Sequence, residues 1–141
     1  MPDAARPPLG CSFHPRCPRA FAACGWEARD LRDLLEARWA RLGAEQYEAE
    51  QALFDGLGAL DGSATTVSVG AGRGHAEGEL LALLESVRAE DPSEPFWLGV
   101  RGLEAAPGRV EITFHEPRTP RLLPQGDVQV ECHLYDPEMA R

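Results

Sequence analysis

Three of the chain's four cysteines fall close together in GCSFHPRCPRAFAACG, residues 10–25, with the spacing C-x5-C-x6-C. The fourth, Cys132, lies near the other end, in VECHLYDPE. Such a set of thiols has four chemistries open to it: disulfide cross-links, a zinc site, an iron–sulfur cluster, or plain burial in a core. Disulfides belong to small exported domains, but the start MPDAARPPLG carries no apolar segment of an export signal, and the core looks adequate without staples. Structural zinc favours short C-x2-4-C knuckles, and no cysteine pair here is that close. Core filling explains poorly why three cysteines share one Pro-rich loop. The corners of a cubane cluster lie farther apart than the ligand positions around one zinc ion, so wide spacings and a remote fourth cysteine suit it. The Cys17-Pro18 pair also occurs in cluster loops. Spacing alone therefore favours a cluster over zinc and leaves both open.

The elements that must position these thiols follow from composition and periodicity. At 141 residues the chain suits one domain, or a small domain carrying an insertion. With 43% hydrophobic and 26% charged residues it reads as globular. No apolar run approaches the length of a membrane span, so direct membrane insertion is not expected. The net charge of −9 argues against general nucleic-acid binding, which needs a basic face. Arg6, Arg16 and Arg19 outnumber the lone Asp3 within residues 1–25, so the acidic excess lies in the rest. Every basic residue is Arg; the missing Lys excludes a P-loop and a Lys Schiff base.

Pro2, Pro7, Pro8, Pro15 and Pro18 make the first 25 residues a rigid irregular loop. WEARDLRDLLEARWARLG then predicts a helix with the apolar stripe Leu31, Leu34, Leu35, Trp39 and Leu42, ended by Gly43. AEQYEAEQALF predicts a second helix packing through Tyr47, Ala49 and Leu53 or Phe54. A strand is expected over 64–69, then a Gly-rich turn and a helix with Leu80, Leu81, Leu83, Leu84 and Val87 inward. Pro92 and Pro95 break that helix and the chain extends. RVEITFHE alternates as a half-buried strand through Val110, Ile112 and Phe114. PRTPRLLPQG reads as a connector and DVQVECHLY as a last strand. The expected class is α+β: residues 1–25 together with 116–141 form a cysteine module, and 26–115 an inserted α+β subdomain. The insert's own apolar faces look sufficient for a separate core.

Gly10, Cys11, Phe13, His14, Pro15, Arg16, Cys17, Pro18, Ala20 and Cys24, with Val130, Cys132, His133, Leu134 and Tyr135, carry a resemblance. They are similar to the C-terminal region of the ATP-binding subunits of oligopeptide and dipeptide ABC importers, which shows G-C-x-F-H-P-R-C-P-x-A, a third Cys, and V-x-C-H-L-Y. EPRTPRLLPQG resembles that family's approach to the last strand, and ARPPLGC its linker from the nucleotide-binding domain. The resemblance implies that Cys11, Cys17, Cys24 and Cys132 ligate a [4Fe-4S] cluster. It implies as partners the nucleotide-binding domain and permease subunits of a peptide importer, and a cytoplasmic place at the inner face of the membrane. Nothing matches the family's Walker and signature motifs, so no enzyme activity is expected of this chain. The match covers the two ends only; Ser12 stands where the family often has Arg, and residues 26 to about 115 exceed the short acidic connector of many members.

The remaining features read more plainly. His14 and His133 each flank a cysteine and are expected to orient the loop by hydrogen bonding rather than to ligate. VSVGAGRGHAEGELL has the strand–turn–helix shape of a phosphate cradle but lacks G-x-G-x-x-G, and a plain turn is expected. His75 with Glu77 or Glu79 has no nucleophile nearby, and first-turn carboxylates cap helices. The expected function is an iron–sulfur-binding regulatory or structural domain of a peptide transporter's ATP-binding protein; the alternative is a free-standing zinc-stabilised protein-interaction module.

Overall fold

The computed structural model describes residues 5–58 and 60–139. Pro2 and Asp3, counted in the N-terminal reading, lie outside the described residues. The class is α+β, as expected: among the described residues there are four helices and two small antiparallel sheets. Helices α1 (Ala28–Trp39), α2 (Ala44–Ala52), α3 (Glu77–Glu90) and α4 (Pro95–Gly99) accompany strands β1 (Asp61–Gly62), β2 (Thr66–Gly70), β3 (Val100–Ala106) and β4 (Arg109–Phe114). These strands form one sheet in the order β1-β2-β4-β3. Strands β5 (Leu122–Gln125) and β6 (Val128–Glu131) form a separate hairpin.

Periodicity explains the core. On α1 the residues Leu31 and Leu35 are fully buried and Trp39 nearly so, while Leu34 and Leu42 are half-buried. On α3 the buried positions are Leu80, Leu84 and Val87; Leu81 and Leu83 stay half-exposed at its margins. Alternation places Val67 and Val69 of β2, and Val110, Ile112 and Phe114 of β4, in the same cluster. Val67 pairs with Ile112 and Val69 with Val110. β3 and β4 turn through Pro107 and Gly108, the glycine at φ +74° as a turn of this kind requires. That core also takes in Ala20, Cys24 and Trp26, so it runs without a break from the cysteine loop into the sheet.

Four expectations are corrected. Gly43 does not end α1 in a left-handed conformation; it is the extended residue before α2, with φ −69° and ψ 157°. Ala49 is exposed and the buried residue of α2 is Glu50, because Arg38, Trp39 and Gln46 all donate to its carboxylate. Pro95 starts a short helix rather than ending order, since a proline at the first helical position loses no hydrogen bond. The connector expected over 117–126 contains β5, and the last strand stops at Glu131 rather than running to Tyr135. Pro124 is tolerated because the hairpin has only two strands, both with a free edge. Among the described residues no helix is long and apolar enough to cross a membrane.

A candidate cysteine-lined metal centre

The cysteine loop is shaped by two tight turns and two glycines. Residues His14–Arg16 and Ala22–Cys24 each form one 3-10 turn. Gly10 has φ +68°, and a Cβ there would lie 2.6 Å from the Cys24 carbonyl oxygen and 3.0 Å from that of Arg118. Gly25 has φ +95°, and its Cβ would lie 2.3 Å from the Leu9 carbonyl oxygen. The loop closes through the Cys11 amide, which donates to the Cys24 carbonyl at 2.8 Å.

Two buried histidines clamp the loop, in the role expected of them. His14 Nδ1 donates to the Cys11 carbonyl at 2.9 Å, and its Nε2 lies 3.3 Å from each oxygen of Asp30. Asp30 also accepts the Glu27 amide at 2.8 Å, at the first turn of α1, so one carboxylate caps the helix and holds the loop's histidine. His133 Nε2 donates to the Arg118 carbonyl at 2.8 Å, and the Arg118 amide donates to the Ala23 carbonyl at 3.0 Å. This chain of bonds fastens the C-terminal turn, His133–Tyr135, to the N-terminal loop. Arg121 adds a two-pronged bond to Asp136 at 2.9 and 2.7 Å, which holds the Asp136 carboxyl below its ordinary range.

All four thiols line one cavity of about 160 Å³, together with Phe13, Phe21, Leu134, His14 and His133, and with Arg19 and Glu131. All four cysteines are free; Cys24 is buried and the others are half-buried. The Phe21 amide already donates to Cys24 Sγ at 3.4 Å. Burial pushes the Cys24 thiol up to about 11; the Phe21 amide pulls it down, and Cys11, Cys17 and Cys132 raise it further. Thiolates gathered this closely repel one another, and a bound cation relieves that repulsion. Among the described residues no group of three or more His, Cys, Asp or Glu side chains is placed so that it could hold a metal ion. The four cysteines line one largely apolar space, and they are the residues a cofactor there would meet.

Sequence reasoning reached the cysteines and both histidines but missed Asp30 and the Arg118 backbone. Asp30 sits among the charged residues of an amphipathic helix and looks like surface; its one clue is its place three residues after Glu27, where a capping carboxylate belongs. The Gly-rich turn is a turn: the Ala71 amide donates to the Gly108 carbonyl and the Gly72 amide to the Leu53 carbonyl, so both are taken. Glu79 caps α3 by accepting the Ala76 amide at 2.8 Å.

Fold and site together define a small α+β protein whose two ends meet around a four-thiol cavity. Comparison with protein-family profiles, curated proteins and solved structures finds no match to the chain.

Proposed function

We propose that this chain is an iron–sulfur-binding domain in which Cys11, Cys17, Cys24 and Cys132 hold a [4Fe-4S] cluster. The observation that supports it is the cavity itself: four free cysteines, drawn from both ends of the chain, line one apolar space. A zinc ion needs four ligand atoms meeting at a point, whereas a cubane needs room among its ligands. When bound, such a cluster supplies one-electron redox chemistry or a rigid cross-link. The protein's own part is to fix the thiols through the His14 and His133 clamps, donate the Phe21 amide to sulfur and exclude water with Phe21 and Leu134. By its resemblance to peptide-importer ATP-binding subunits, the domain serves beside a nucleotide-binding domain and permease subunits at the inner face of the membrane. Its role there is structural or regulatory, and it does not itself hydrolyse ATP.

The test is reconstitution. Protein prepared anaerobically with iron and sulfide is expected to turn brown and hold about four irons and four sulfides per chain. Cys17→Ser is expected to lose colour and iron while keeping the far-ultraviolet circular dichroism of the parent. Stoichiometric zinc with no iron uptake under those conditions would replace this reading with the zinc-stabilised interaction module.

A further inference from the structure

The hydrophobic core ends at Phe114: among the described residues, none beyond it belongs to the cluster of buried apolar side chains or packs against it. Cys24 is part of that core, and Cys11 and Cys17 pack against it, so three of the four thiols are held by the body of the fold. Cys132 is not. It lies in an arm, residues 117–139, whose bonds run mostly within itself. β5 pairs with β6. Arg121 holds Asp136, His133 Nε2 donates to the Arg118 carbonyl, and Arg118 Nη1 reaches Met139 Sδ at 3.7 Å. The Arg118 amide joins the arm to the body by donating to the Ala23 carbonyl, and the rings of Phe21 and His133 meet edge-on with centres 5.9 Å apart. The His115 amide, donating to the Gly99 carbonyl at 3.0 Å, ties down the chain just before the arm. The arm can therefore turn about Glu116 and Pro117.

We propose that residues 117–139 are a latch, closed on the body when Cys132 shares one metal centre with Cys11, Cys17 and Cys24, and free to open when the four thiols are unligated. The latch rests on the reading that the four cysteines form one site, though not on the centre being iron–sulfur. A segment with few buried apolar contacts opens locally at a fraction of the cost of global unfolding. Such a segment is stabilised by whatever binds its closed state alone. Three thiols belong to the packed body and one to the arm, so Cys132 fastens the arm whenever all four are joined through one centre. Occupancy of the cavity is thereby converted into order at the surface, in a hairpin that exposes Leu122 and Val128.

Hydrogen–deuterium exchange of the full chain reads the latch in three samples: metal-free, reconstituted anaerobically with iron and sulfide, and loaded with zinc. Metal content is measured on each. In the metal-free chain the amides of β5 and β6 are expected to exchange at least roughly tenfold faster than those of β2 and β4. Loading is expected to slow the hairpin at least roughly tenfold and to change β2 and β4 less. Cys132→Ser, a replacement outside the core, is expected to leave the hairpin of a metal-treated sample as fast as that of the metal-free parent. A hairpin as slow as the sheet without metal would overturn the latch, and so would a hairpin slowed by metal in Cys132→Ser. Bound metal with an unchanged hairpin would overturn the latch and leave the four-cysteine site standing. No uptake of iron or zinc would overturn both.

Discussion

At the scale of single residues, two glycines that look alike in the sequence play opposite parts. Gly10 combines φ +68° with a neighbouring carbonyl oxygen where its Cβ would go, so Gly10→Ala meets both backbone strain and overlap with a main chain that cannot swing away. The expected loss is at least about 2 kcal/mol of stability in denaturant unfolding, with loss of iron loading. Gly78, inside α3 with nothing within 4 Å of its Cβ, is expected to gain about 0.5–1 kcal/mol on replacement by Ala. If Gly10→Ala unfolds and loads like the parent, the loop closure described above is not what shapes the site. That the four cysteines and both histidines come together was legible in the sequence from residue type and spacing. Gly10 was legible only as part of a motif, and Asp30 only as a capping position three residues after Glu27, since a surface carboxylate and one that anchors a buried histidine look alike until the fold places them.

At the scale of elements, α1, α2 and α3 were legible because apolar residues recur at helical spacing, β2 because its residues are β-branched, and β4 because it alternates. What escaped were α4 and β5, both read through their prolines as breaks. Position within an element decides what a proline does, and the sequence does not show that Pro95 opens a helix or that Pro124 sits in a two-stranded hairpin. The docking of α1, α2 and α3 escaped as well, because polar groups carry part of it: Arg38 donates to Glu50 at 2.9 and 2.7 Å and pairs with Glu90 of α3. Arg38, ahead of smaller effects, holds the Glu50 carboxyl below its ordinary value of 4.5. A carboxyl lowered by folding stabilises the protein above its unfolded value, and that contribution is lost as pH falls through the folded value. Glu50→Gln is therefore expected to cost about 1–3 kcal/mol near neutral pH, since Arg38 loses the more buried of its two charged partners and keeps only Glu90. The difference between parent and variant should shrink as the pH drops below 4.5. Equal denaturation midpoints for the two proteins at pH 7 would show that the three helices are held by apolar packing alone.

At the scale of the molecule, the question is whether residues 26–115 can be lifted out. Loop closure does not forbid it: replacing the long segment between Cys24 and Cys132 by some twenty residues changes closure entropy by only roughly 1.5 kcal/mol. Packing does. Ala20 and Cys24 of the loop share one core with Leu31, Leu35 and Phe96. Trp26 stacks edge-on to His14, centres 4.9 Å apart, and to Phe96 at 6.0 Å. Trp26 also lies so close to Gly99 that a Cβ there would fall 2.0 Å from its ring. The His14 clamp ends on Asp30, inside the segment, and the His115 amide returns the chain by donating to the Gly99 carbonyl at 3.0 Å. A short Gly/Ser linker in place of 28–114 would strip Trp26 of its cover, roughly 2–3 kcal/mol of apolar burial, and leave His14 without its carboxylate. The separate apolar faces legible in the sequence had favoured survival of the site after this deletion; the shared core favours its loss. The deletion protein is expected to remain colourless after anaerobic reconstitution and to show no cooperative unfolding. If it instead turns brown and holds about four irons per chain, the cysteine module is self-sufficient, and the contacts of Trp26, Asp30 and Phe96 are a seam between two units rather than the scaffold of one.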